Sequence, residues 1–169
     1  LHRAGVQVLG TSPDMIDAAE DRSKFSSKMD AAGVPQPAWR ELSDSASAFA
    51  FADQVGYPVL VRPSYVLSGA AMAVAYNAEQ LGKMLAAAVD VSPEHPVVLS
   101  KFVEGAREVE LDAVARGGKV IAAAVHEHVE NAGVHSGDAT LMLPRQTLSN
   151  YTLARVREAG RVLAEVLNI

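Results

Sequence analysis

Along the first third of the chain the apolar positions recur near helical spacing. Ile16 and Ala19, then Phe25, Met29 and Ala32, predict one long or two short helices, closed by Gly33 and Pro35. Ser12 followed by Pro13 supplies the start, because the serine hydroxyl can accept an orphan N–H and proline loses nothing at the first helical position. A second apolar face follows Ser43 and Asp44 through Ala46, Phe49, Ala50, Ala52 and Val55, and ends at Gly56 and Pro58. Ahead of these helices, Val6-Gln7-Val8-Leu9-Gly10 has the pattern of the end of a buried strand.

The period then changes. Val59-Leu60-Val61-Arg62 predicts a short strand, with Met72 to Tyr76 as its hairpin partner across a loop of mostly small residues. Asn77 with Gln80 forms a capping-box variant that opens a helix carrying Leu81, Met84, Leu85 and Ala88. Three strand-like runs come next, Val97 to Phe102, Arg107 to Ala115 and Lys119 to Val129, the last two joined by the turn signal Arg116-Gly117-Gly118. From Ser149, Leu153, Val156, Leu163 and Leu167 predict an amphipathic helix.

Composition narrows the function classes. The chain has 169 residues, 49% hydrophobic and 21% charged, enough for one compact unit or two small lobes. A net charge of -5 without a dense Lys/Arg run argues against nucleic-acid and anionic membrane surfaces, while a few local arginines can still bind a small anion. With no cysteine there is no disulfide, thiolate nucleophile or sulfur metal site. No apolar run reaches the ~18 residues of a membrane span. The opening residues do not form a signal peptide, and the chain is expected to be a piece of something longer, acting in the cytoplasm or else the mitochondrion.

Five segments carry candidate chemistry. The loop from Arg62 to Ala71 has an arginine at its base and small residues at its tip, a combination that can bring a guanidinium and backbone N–H groups to phosphate oxygens. Strict alternation puts Glu108, Glu110 and Asp112 on one strand face, where a carboxylate can accept from ribose hydroxyls, with Lys101 and Arg107 near enough in sequence to balance the charge. Lys101-Phe102-Val103-Glu104-Gly105 is a connector able to offer backbone amides to a base edge. His126 and His128 share a strand side and, with His135, raise a metal-binding alternative that lacks a fixed third ligand. The run Gly133 to Asp138 holds Ser136, His135 and Asp138, but neighbours in one segment do not reach triad geometry, so a ligand-contacting loop fits better.

Taken together, Gly10-Thr11-Ser12-Pro13, Ala19-Glu20-Asp21-Arg22, the run from Gly56 to Gly69 and Ala132-Gly133-Val134-His135-Ser136-Gly137-Asp138 closely resemble the carbamoyl-phosphate synthetase large subunit, in its second, carboxyl-proximal ATP-grasp half. The stretch Lys101 to Glu108 resembles the versions in large multifunctional eukaryotic-type chains. The resemblance implies an α+β, partial ATP-grasp fold, an antiparallel sheet lobe with flanking helices. Residues 1–11 would end a Rossmann-like domain, 12–56 form a helical segment, 57–130 a nucleotide-lid lobe and 131–169 the start of a second lobe.

It also implies an activity, the ATP-dependent phosphorylation of carbamate. Arg22 and Arg62 would meet the phosphates, with Arg62 the catalytic candidate for holding the transferred group, and Ser68 and Gly69 would close over them. Ser68 stands where the family often has a glycine. Lys101 and Val103 would meet adenine, Glu108 the ribose, and Gly133, Val134, His135 and Ser136 would line the pocket. Magnesium ligands of the family are expected downstream of Ile169, so the fragment alone is expected to be inactive. The implied partners are ATP, carbamate, other domains of the parent synthetase and a glutaminase subunit or domain. Homodimer formation through Val6, Val8, Leu163 and Leu167 is a further expectation. The alternatives are another ATP-grasp carboxylase or ligase, such as a biotin carboxylase relative, and a catalytically silent nucleotide-binding or assembly module.

Overall fold

The computed structural model describes residues 4–6, 8–63, 72–91, 97–134 and 137–169. The chain divides into two compact units: Leu1–Ala19, Ala31–Val34 and Glu104–Ile169 form one, and Glu20–Asp30 and Pro35–Val103 the other. No described helix is long and apolar enough to cross a membrane.

The first helical stretch is two helices, α1 (Pro13–Glu20) and α2 (Arg22–Ala31). The break has a local cause: Asp21 is 8% exposed, and its Oδ1 accepts from the N–H groups of Ser23 and Lys24, both at 3.0 Å, so an N-cap sits inside the apolar pattern. No strand forms among the described residues of 4–10, which corrects the reading of Val6 to Gly10 as a strand end. A strand that the periodicity did not show, β1 (Trp39–Leu42), follows α2. It is an edge strand, with Trp39 Nε1 donating to Asp30 Oδ2 at 2.8 Å and Leu42 turned into the core.

The unit containing β1 continues with α3 (Ser45–Val55), β2 (Val59–Pro63), β3 (Ala73–Ala75), α4 (Ala78–Val91) and β4 (Val97–Lys101). Asp44 caps α3 by accepting from Ser47 N–H at 2.8 Å, and that bond holds its carboxyl below the ordinary aspartate value. Asn77 caps α4 as anticipated, its Oδ1 accepting from Gln80 N–H, while Gln80 Oε1 accepts from Tyr76 N–H, one residue ahead of the N–H that a capping box uses. The sheet order is β1-β4-β2-β3, antiparallel throughout, with Val59 opposite Ala75 and also opposite Lys101. Its core gathers Phe51, Val59, Val61, Leu81, Leu85 and Leu99. Fully burying each such side chain stabilises by about 1.5–3 kcal/mol.

The other unit is built on the long hairpin of β5 (Arg107–Arg116) and β6 (Lys119–Asn131), followed by β7 (Leu141–Met142) and α5 (Asn150–Val166). The hairpin turn needs its glycines, since Gly117 and Gly118 have φ of 56° and 75°. A Cβ on Gly118 would also meet the Glu165 backbone at 3.3 Å, and its N–H donates to the Ile169 carbonyl at 2.9 Å, so the end of α5 rests on the turn. Gly160 admits Leu111: a Cβ there would stand 2.1 Å from Leu111 Cδ2, which sets α5 on the Val109–Leu111 side of β5 and leaves the carboxylate side away from the helix. Of the residues suggested for a dimer face, Leu167 is buried at 5% exposed, Leu163 is half-buried, and Val6 and Val8 are exposed.

Candidate functional site

The residues singled out by sequence fall into both units. In the first, Arg62 lies on β2 opposite Val98 of β4, and Arg22 opens α2. Arg62 Nε is buried and has no hydrogen-bond partner among the described residues. Burial, and secondarily the positive charge of Arg22, pull Arg62 below the ordinary arginine value. Two guanidiniums close enough to repel, one with a buried orphan N–H, form a site that an anion would stabilise.

On the adjoining strand, Lys101 does something the sequence did not show. Its Nζ donates to the Gly56 carbonyl at 3.0 Å and to the Tyr57 carbonyl at 2.9 Å, while its backbone N–H donates to the Ala38 carbonyl. Phe102 N–H is likewise held by the Pro58 carbonyl at 3.1 Å. Two of the three ammonium N–H groups of Lys101, and its amide, are thus taken by main-chain carbonyls. Val103, at the end of the connector, is 52% exposed.

In the other unit, Glu108 and Gly133 come together: Gly133 N–H donates to Glu108 Oε2 at 3.2 Å. The contact lies where the strand register slips, since Arg107 pairs Asn131 while Val109 pairs Glu127. Such an irregularity re-aims a side chain out of the regular ladder. Val134 is 37% exposed beside it. Ser68, Gly69, His135 and Ser136 lie outside the described residues.

The carboxylate face is met by imidazoles from β6, not by Lys101 and Arg107. His128 Nε2 stands 3.3 Å from Glu110 Oε2, and His126 Nδ1 lies 3.2 Å from Asp112 Oδ2 without hydrogen-bond alignment. Arg107 instead donates to Thr147 Oγ1. Each histidine thus faces a carboxylate across the hairpin, and among the described residues no group of three or more His, Cys, Asp or Glu could hold a metal ion.

Glu127, between the two histidines, was not anticipated. It is 4% exposed and turned to the opposite side of β6, where Thr147 Oγ1 and the N–H groups of Gln146, Thr147 and Leu148 donate to it at 2.5–2.9 Å. The Thr147 hydroxyl, followed by those amides, holds the Glu127 carboxyl down at about 2 against the opposing effect of burial. An acid at the inward parity of an otherwise apolar strand face was the available signal.

The family described as carbamoyl-phosphate synthase L chain, ATP binding domain, matches residues 21–169. The multifunctional protein pyr-3 of Neurospora crassa is 59% identical over 169 residues, which are 100% of this chain and 9% of that protein. The arginine-specific carbamoyl phosphate synthase large chain of Cutaneotrichosporon cutaneum is 57% identical over the whole chain, which spans 14% of it. Among solved structures, the biotin carboxylase domain of Hydrogenobacter thermophilus 2-oxoglutarate carboxylase, in complex with MgADP, ADP and bicarbonate, superposes with a TM-score of 0.81 at 20% identity, over 99% of this chain and 38% of that one. The fold is thus the α+β ATP-grasp fold.

Proposed function

The chain belongs to the carbamoyl-phosphate synthase L chain ATP-binding family, and we propose that it supplies part of the ATP site of an enzyme that phosphorylates carbamate to carbamoyl phosphate. The observation that carries this reading is Arg62, whose buried Nε lacks a partner among the described residues and which lies in the repulsive field of Arg22. A polyphosphate would satisfy the orphan donor and relieve the repulsion in one step. Residues of the second unit complement this. Glu108 receives Gly133 N–H on Oε2, leaving Oε1 without a partner among the described residues and available to ribose hydroxyls. Val103 would meet the base, and Ser68 and Gly69, following Arg62 in sequence, would cover the phosphates, with Val134, His135 and Ser136 lining the pocket.

In the reaction a carbamate oxygen bonds to the γ-phosphorus as the bond to the ADP oxygen breaks. Such a transfer relies on positioning and charge stabilisation more than on covalent help from the protein. Arg62 would orient the transferred group and offset the charge that spreads over its oxygens, Arg22 would hold the nucleotide's anionic end, and closure of the segment after Arg62 would exclude water from the product. Magnesium, when bound, supplies charge neutralisation between the β- and γ-phosphates. In this reading no residue of this chain is assigned to the metal.

The relatives are far longer than this chain. We therefore place the whole activity in a larger polypeptide, whose other domains complete the site and whose glutaminase domain or partner supplies ammonia, in the cytoplasm. The test is ADP formation by this chain and by a version extended along its relatives' sequence, with carbamate as acceptor. Carbamate-dependent turnover by the extended version, reduced more than nucleotide affinity by Arg62→Ala, supports the proposal. Turnover that ignores carbamate and requires bicarbonate with biotin would assign the chain to a carboxylase instead. Binding of ATP without any turnover would make it a silent nucleotide module.

A further inference from the structure

The side of the β5–β6 hairpin away from α5 holds two imidazole–carboxylate pairs that the nucleotide reading leaves unused. Glu108, Glu110 and Asp112 of β5 share that side, and the rings facing them come from β6. His128 Nε2 lies 3.3 Å from Glu110 Oε2, and His126 Nδ1 lies 3.2 Å from Asp112 Oδ2. Both contacts run diagonally, since the register sets His126 opposite Glu110 and Ala124 opposite Asp112. The His128 and His126 side chains are 1% and 15% exposed, and Nδ1 of each ring is buried without a hydrogen-bond partner among the described residues. From the neighbouring elements, β7 places Leu141 opposite His128, and the Glu130 carboxyl, held below its ordinary value first by Thr140 N–H, also feels His128. Lys101 and Arg107 donate elsewhere, so imidazoles are the cations that this row of acids meets.

Imidazole is the side chain whose charge ordinarily changes between about pH 5 and 8. The three acids and two rings therefore have a formal charge of -3 with both rings neutral and -1 with both protonated. Glu108 heads the row, ~7 Å from Glu110 along the strand. An anion bound at that end favours the charged rings, and by reciprocity a proton on either ring tightens the anion by the same factor. We propose that nucleotide binding by this chain is coupled to proton uptake by His126 and His128, so that acidification tightens MgATP and alkalinisation loosens it; the inference rests on the nucleotide reading above. The two rings act as charges at a distance, not as ligands of the nucleotide. One unit charge ~10 Å from an anionic charge changes affinity about 2- to 15-fold as the effective dielectric constant runs from about 80 to 20.

The experiment is calorimetric titration of this chain with MgATP at pH 6, 7 and 8, each in two buffers of different ionisation enthalpy, which counts the protons taken up. Wild type, His126→Gln, His128→Gln and Asp112→Asn are compared, with thermal melts to establish folding. The nucleotide's own titration is common to all four, so differences between them isolate the rings. Wild type should take up a fraction of a proton at pH 7 and gain several-fold in affinity from pH 8 to 6. His126→Gln and His128→Gln should each lower both the uptake and the pH slope. Asp112→Asn, at a side chain 64% exposed, removes the acid beside His126 and should move that ring's part of the response to lower pH. Should the buried His128→Gln variant not fold, the other two carry the test. A pH slope and proton uptake in His126→Gln equal to those of wild type overturn the proposal, even if affinity falls uniformly at all three pH values, because a structural role would weaken binding without changing its proton count. A wild type that binds MgATP with no proton uptake overturns it while leaving the nucleotide reading intact. A wild type that binds no MgATP overturns that reading and this inference with it.

Discussion

Replacing Arg62 by methionine should make the protein more stable and less able to bind ATP. Arg62 is half-buried, its Nε is buried without a partner among the described residues, and burial and the nearby Arg22 both disfavour its charge. An unsatisfied buried donor costs about 1–3 kcal/mol, and partial exposure puts this one near the lower bound. Methionine preserves most of the stem volume and removes both the orphan N–H and the repulsion. The expected gain is ~1 kcal/mol, seen as a rise of roughly 2–4 °C in Tm for a chain of this size. Against that, a hydrogen bond to a charged phosphate contributes about 1.5–3 kcal/mol, so ATP affinity should fall roughly 10- to 150-fold. Thermal melts with and without MgATP, together with calorimetric titration, read both quantities on one sample. The argument is refuted if Arg62→Met melts below wild type while its ATP affinity is unchanged, since the guanidinium would then be structural and not an anion site.

Other consequences can be checked independently. Because the folded Glu127 carboxyl sits at about 2 and an unfolded glutamate titrates near its ordinary 4.5, its stabilisation is complete above that ordinary value and is lost as pH falls toward 2. Urea midpoints from pH 7 down to 3 should therefore decline less steeply in Glu127→Gln, from a lower starting point; parallel profiles would remove Glu127 from the acid response. Gly160→Ala should lower Tm in the wild type through the 2.1 Å encounter with Leu111, yet in a Leu111→Ala background the same change should raise it. The opposing effects are about 1–3 kcal/mol of overpacking and about 1 kcal/mol of helix propensity, so only the first background favours glycine. A stabilising Gly160→Ala in both would mean that α5 does not rest on Leu111. Leu99→Ala, at a fully buried position of β4, should cost about 2–5 kcal/mol in urea unfolding.

Which parts of this were legible in the sequence follows from the kind of signal each left. The β5–β6 hairpin announced itself through its glycine turn, and α5 through Ser149 and a clean apolar stripe, because turns and caps are local. β1 left no such mark. Its Trp39-Arg40-Glu41-Leu42 has too few apolar positions to show a period, and it becomes a strand because β4 offers it an edge, which is a tertiary effect. The break at Asp21 was local but masked by an apolar spacing that ran across it. At the candidate site, residue types named the chemistry, with arginines for an anion and Glu108 for hydroxyls, while partner choice was invisible. Lys101 reaches carbonyls 44 and 45 positions away, and Glu110 and Asp112 face histidines supplied by strand register.

The central claim, that this chain carries ATP-contacting residues in both of its units, is tested most directly by titrating MgATP into isotope-labelled protein and following the backbone amides by NMR. Saturable shifts should appear at Arg62, Val103, Glu108 and Gly133, residues drawn from both units. No saturable change at millimolar ATP, or changes that avoid Arg62 and Glu108 altogether, would contradict it.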